Sequence, residues 1–102
     1  MESVINEKKE QLAALCRRHG VKRLDVFGSA AEGDFTSSSD IDFVVEFDDS
    51  VGDRRFDNFF ELLEGLKRLF GRGVDLVEPG GLRNPYFIRR VEQTRREIYV
   101  GS

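Results

Sequence analysis

The chain is poor in the residues that build many small active sites. It has one cysteine, Cys16, and one histidine, His19, among 102 residues. A single cysteine excludes an intramolecular disulfide framework and a cysteine-rich zinc site. One cysteine with one histidine gives little support to histidine-based metal centres or to Cys/His catalysis. Cys16 falls on the apolar face of a predicted helix and reads as a core residue. His19 sits at that helix's end, where a cation suits the dipole. No apolar run is long enough to span a membrane and no signal peptide is visible, so a cytoplasmic location without membrane contact is expected. Positive charge is not in excess: the formal net charge is −3, which offers no global field for nucleic acid and argues against its direct binding. Basic residues are nonetheless paired, at Arg17/Arg18, Lys22/Arg23, Arg54/Arg55, Arg89/Arg90 and Arg95/Arg96. These pairs are expected mostly on solvated faces, with local patches for phosphate or an acidic partner as the alternative. Tryptophan is absent, and nine phenylalanines are expected to supply much of the core. Repeats, low-complexity tracts and linkers are also missing.

What is present suits a single domain over residues 1–102, with 39% apolar and 34% charged residues in an ordinary globular balance. Ile5, Leu12, Leu15 and Cys16 share one face of a helix predicted over 3–19, stopped by Gly20. Alternation predicts a half-buried strand over 21–27, and a β-branched and aromatic run predicts another over 41–47. Between them lies a glycine- and serine-rich loop. Over 54–70 the residues Phe56, Phe59, Phe60, Leu63, Leu66 and Phe70 recur with helical spacing, so Phe56, Phe59 and Phe60 are expected in the core, with an exposed part of that helix as a partner surface the alternative. A third strand is predicted over 74–77. Asn84 and Pro85 read as the cap and first position of a last helix striped with Phe87, Ile88 and Val91. A final strand, suited to a sheet edge, covers 97–100. The expected class is therefore α/β (α+β): a small mixed β-sheet flanked by helices.

The chemistry concentrates in "FGSAAEGDFTSSSDIDFVVEF", residues 27–47. In a strand, residues i and i+2 point to the same face, so Asp40 and Asp42 project together while Ile41 and Phe43 point the other way. Two carboxylates held that close repel unless a positive charge joins them. A hard divalent cation such as magnesium suits them, because it takes carboxylate oxygens and completes its shell with water and phosphate. For an isolated Asp-x-Asp, a turn cap and a solvated strand start explain the pair as well. Two features favour the metal. The pair follows a Gly-Ser loop that itself follows a strand. A further acid, Asp75, stands inside "GVDLVE" in a strand that otherwise wants burial, where an unpaired carboxylate is costly. If that strand lies beside 41–47, Asp75 faces the same cleft, and three carboxylates suffice for two metal ions.

Gly28 permits a tight turn and close backbone approach. Ser29 offers a hydroxyl and an N–H that favour a phosphate. The spacing fits neither the P-loop nor the dinucleotide fingerprint. Strand, Gly-Ser, a loop of about ten residues and then Asp-x-Asp opening a strand is a more specific arrangement. "GSAAEGDFTSSSDID" with the later "VDLV" resembles the nucleotidyltransferases of the DNA polymerase β superfamily, and size narrows the resemblance to the minimal nucleotidyltransferases. These often pair with a HEPN-domain toxin and act as its antitoxin.

The resemblance implies a polymerase β-like fold in which Gly28 and Ser29 hold the triphosphate of ATP. Asp40 and Asp42 bind magnesium, two ions in all. Asp75 supplies the third carboxylate and serves as base for the attacking hydroxyl. It implies transfer of AMP to a hydroxyl of a HEPN toxin, a tyrosine, which silences the toxin. With no second domain to shape an acceptor site, a protein acceptor is the easier one to accommodate. The alternatives are a binding antitoxin without catalysis, and transfer to a small molecule or RNA with a separate substrate-binding subunit. One departure bears on these: many minimal members carry arginines in the loop where this chain has Ala30 and Glu32. Either phosphate affinity is then weaker, or cations such as Lys22, Arg54 or Arg55 substitute for the missing loop charge.

Overall fold

In the computed structural model the described residues are 2–28, 40–81 and 84–101. Two helices come first, α1 (Glu2–Glu7) and α2 (Lys9–Arg18). The single helix expected over 3–19 is broken at Lys8. Its amide bonds back only three residues, to the Ile5 carbonyl at 3.1 Å, and its φ of −109° leaves the helical range. This tightened turn redirects the chain while leaving Ile5 buried in the core. There follow β1 (Val21–Phe27), β2 (Ile41–Phe47), α3 (Arg55–Phe70), β3 (Val74–Val77), α4 (Pro85–Thr94) and β4 (Arg96–Val100), with short 3-10 segments at Asp49–Arg54 and Pro79–Gly81.

The sheet order is β3-β2-β1-β4. β1 runs antiparallel to both β2 and β4, and β2 runs parallel to β3. A parallel pair needs a crossover, and α3 supplies it. The mixed sheet flanked by helices is the class the sequence indicates, and β4 takes the edge position. Asn84 caps α4 as expected: its side-chain oxygen accepts from the Tyr86 amide at 2.9 Å, with Pro85 at the first helical position.

The larger core lies on one face. Leu24, Val26, Ile41, Phe43, Val45, Val74 and Leu76 of the sheet pack with Leu12, Cys16, Leu62 and Leu66 of α2 and α3. Burial pushes the Cys16 thiol up to about 12, so it is an inert core group, as its helical position implies. On the other face Phe27, Val44 and Val91 form a smaller cluster under α4, with the Phe27 and Phe87 rings edge to face at 5.7 Å. β1 is therefore covered on both sides from Leu24 to Phe27 rather than half-buried.

The phenylalanines of α3 depart from expectation. Phe59 packs against the core, but Phe56 is 72% and Phe60 49% exposed. Helix geometry gives the reason: Phe60 is six residues from Leu66, hence about 120° round the helix from the packed stripe. Phe56 and Phe60, four residues apart, meet edge to face with ring centroids 4.9 Å apart.

Asp25 is completely buried on the α4 face. Its Oδ1 accepts from Arg23 Nε at 2.9 Å, its Oδ2 accepts from Arg95 Nε, and Arg95 Nη2 reaches Glu46 Oε2 at 3.3 Å. Arg95 is the residue that ends α4, so this pairing ties the helix terminus to the middle of the sheet. Removing one partner of a buried pair leaves a desolvated charge behind. Asp25→Ala is expected to cost about 3–5 kcal/mol in chemical denaturation. A loss below about 1 kcal/mol, the scale of an exposed ion pair, would show that the network is solvated in effect.

Candidate active site

The site is set by strand register. In the parallel pairing of β2 with β3, Asp42 stands opposite Asp75, and Ile41 opposite Val74. Aligned residues of paired strands point to the same side, so both carboxylates emerge on the α4 face while Ile41 and Phe43 are buried beneath. In the antiparallel pairing with β1, Asp42 stands opposite Phe27, which brings Gly28 alongside. Asp40 precedes β2, where the ladder opens with the Ile41 amide donating to the Gly73 carbonyl at 3.1 Å. Its carboxylate lies over Gly73: a Cβ built there would fall 2.2 Å from Asp40 Oδ1. Gly73 is thus the gap that admits Asp40.

Gly28 adopts φ +69°, a left-handed conformation that glycine takes without strain. A Cβ there would lie 2.9 Å from Asp42 Oδ2 and 3.9 Å from Arg90 Nη2. The Gly28 amide donates to Thr94 Oγ1 at 2.9 Å, and the Thr94 hydroxyl donates to the Arg90 carbonyl at 2.7 Å. The amide is already committed to α4, so what Gly28 brings to the site is its turn and the room above Asp42.

Asp42 carries the electrostatic signature. Burial is the largest cause that pushes its carboxyl up to about 6; the Asp75 charge and hydrogen bond and the Asp40 charge push the same way, and Arg90 partly opposes them. Below about pH 6 a protonated Asp42 donates to Asp75, and above it two like charges meet. Among the described residues no three acidic, histidine or cysteine side chains form a ready metal-binding group. The donors present nevertheless suit a hard cation: they are carboxylates, two of them adjacent, with a proton that a cation would replace.

The structure thus brings Asp42 and Asp75 together beside Gly28, with Asp40 one step along the edge. Ser29 lies outside the described residues, as do Ala30 and Glu32. The cations expected to meet phosphate do not gather here. Lys22 is six strand residues from Gly28, about 20 Å. Arg55 binds Glu78 at 2.7 Å past the other end of β3, and Arg54 lines a hollow with Arg17, Arg18 and His19. Instead α4 contributes Arg90, from a basic pair expected mostly on a solvated face, and Thr94, which nothing in the sequence singled out. Their distance of more than 60 residues from Gly28 gives no local pattern to find them by, and Gly73 matters only once the register sets it under Asp40.

Known proteins resemble this chain in sequence and in fold. The family described as nucleotidyltransferase domain matches residues 8–98. A candidate protein adenylyltransferase of Methanocaldococcus jannaschii is 39% identical over 83 residues, 81% of this chain and 80% of that one. The protein adenylyltransferase MntA of Thermococcus cleftensis is 34% identical over 84 residues, 82% of this chain and 79% of that one. The solved structure of a candidate minimal nucleotidyltransferase superposes with a TM-score of 0.75 at 32% identity, covering 92% of each chain. A complex of tri-AMPylated Shewanella oneidensis HEPN toxin with MNT antitoxin matches in fold, with a TM-score of 0.63 at 18% identity, covering 94% of this chain and 72% of that one.

The raised carboxyl has a measurable consequence. Between about pH 4 and 6 the folded protein holds an Asp42 proton that the unfolded chain has released, so raising pH through this window removes stability. Asp42→Asn keeps a donor to Asp75 and avoids the penalty. In metal-free protein at pH 7 it is expected to be more stable than wild type by about 1–2 kcal/mol, discounted for partial solvation, with the advantage gone below pH 4. Denaturation curves at the two pH values check this; equal stability at pH 7 would contradict it.

Proposed function

The chain belongs to the nucleotidyltransferase domain family, and from that premise we propose that it transfers AMP from ATP to a tyrosine hydroxyl of a HEPN-domain toxin and so silences it. The observation that carries the proposal is the register that sets Asp42 beside Asp75 with Gly28 against them. The relatives named protein adenylyltransferase support AMP as the transferred group, and the neighbouring toxin complexes support the partner.

Asp40, Asp42 and Asp75 would hold magnesium, which when bound supplies charge neutralisation and Lewis acidity at the phosphates. At neutral pH a cation between Asp42 and Asp75 would turn a repulsive pair into a binding site. Gly28 leaves room for the phosphates to approach Asp42, and Ser29 offers them its hydroxyl and amide. Asp75 stands on the edge strand, exposed, where an acceptor on a partner's surface can reach it. There it takes the proton of the attacking hydroxyl. The new oxygen–phosphorus bond forms at the α-phosphorus, the bond to the β-phosphate oxygen breaks, and pyrophosphate leaves. Positioning and electrostatics account for the rate, with no covalent enzyme intermediate.

The test is label transfer from α-labelled ATP, with magnesium, to a HEPN-domain protein encoded beside this one. Label is expected on the partner with wild type and absent with Asp42→Asn or Asp75→Asn. Gly73→Ala should fold normally, because Asp40 can swing aside, yet lose about 10–100-fold in rate from the displaced carboxylate. Neutralisation of the partner without label, undiminished in the aspartate variants, would sink the proposal in favour of a binding antitoxin.

A further inference from the structure

We propose that Arg90 of α4 is a substrate-binding residue that contacts the polyphosphate of the nucleotide, in place of cations carried by the loop after Gly28. The inference rests on the nucleotidyltransferase reading of the site and adds to it a binding residue from a different part of the chain. Arg90 Nη2 approaches within 3.9 Å of the position a Gly28 Cβ would occupy, on the side where Asp42 Oδ2 stands at 2.9 Å. Among the described residues it is the cation that favours the charged form of Asp42. Any phosphate drawn to the carboxylate pair through a metal ion comes within the field of this guanidinium.

Its placement is held at both ends. The Thr94 hydroxyl uses its proton on the Arg90 carbonyl and a lone pair on the Gly28 amide. The helix turn that carries Arg90 is thereby pinned to the residue that opens the Gly-Ser loop. One residue further on, Arg95 grips the buried Asp25 in the middle of β1. Edge-to-face contact of Phe87 with Phe27 fixes the preceding turn. A guanidinium so positioned offers a planar fork of donors suited to phosphate oxygens. The sequence "GSAAEG" places Ala30 and Glu32 where it could have put positive charge, so a cation from α4 compensates for what the loop lacks. Arg89, one residue earlier, is turned about 100° away on the helix and serves as a control.

Calorimetric titration of the full chain with magnesium plus a non-hydrolysable ATP analogue, and separately with AMP, tests this. Wild type should prefer the triphosphate. Arg90→Gln should lose about 10–100-fold in affinity for the triphosphate, the worth of a charged hydrogen bond, and less than about twofold for AMP. Arg90→Lys should recover part of the loss, and Arg89→Gln should behave as wild type. A wild type that binds neither nucleotide overturns the underlying reading and this inference with it. A wild type that prefers the triphosphate, with Arg90→Gln keeping that preference or losing AMP affinity equally, overturns this inference alone.

Discussion

The parallel pairing of β2 with β3 forces Asp42 and Asp75 side by side, and most of what is distinctive in the molecule follows from that. Adjacent carboxylates on a partly covered face are unfavourable on their own. Their cost has to be carried by the surrounding packing. Ile41 and Phe43, fully buried on the opposite face of β2, anchor the strand from which Asp42 projects. α3 supplies the crossover that makes the pairing parallel, and its Leu62 and Leu66 close the core beneath. The chain accepts repulsion at one edge because the rest of the sheet leaves the two side chains no other place to go.

The α4 side of the sheet is organised by charge as much as by apolar contact. Asp25, Glu46 and Asp42 alternate with Phe27 and Val44 on that face, and α4 meets them with Arg90, Thr94 and Arg95. Arg95 with Asp25 locks the end of the helix to the sheet. Thr94 with Gly28 locks it to the loop. The two contacts are adjacent in sequence, so a single turn at the α4–β4 junction serves both stability and site. This is a local instance of a general arrangement, in which reactive groups are held by elements whose own placement is over-determined.

Much of this could be read from the sequence, and the reasons are particular. The run from Ile41 to Phe47 and the short "VDLV" segment each have a single sensible structure, and Asn84-Pro85 announces a helix start. The period of two along β2 places Asp40 and Asp42 on one side without knowledge of any partner strand. What could not be read depends on distant residues meeting. Phe56 and Phe60 have helical spacing like their buried neighbours, and only the direction of the sheet decides which arc of α3 is covered. Asp25 looked like a polar residue in a half-exposed strand until Arg95, 70 residues away, supplied its partner. Gly73 needed the register with Asp40, and Arg90 needed the docking of α4, before either could be connected with the site.

Burial and like charge together load Asp42, and a bound cation is what would relieve it. Carbon-detected NMR titration of the Asp42 carboxyl, in the absence and presence of magnesium with a non-hydrolysable ATP analogue, measures this directly. Without metal the carboxyl should titrate at about 6, and with metal and nucleotide its midpoint should fall below the ordinary value of 3.8. A midpoint near 3.8 under both conditions would mean that neither burial nor the neighbouring carboxylates burden Asp42 and that no cation relieves it.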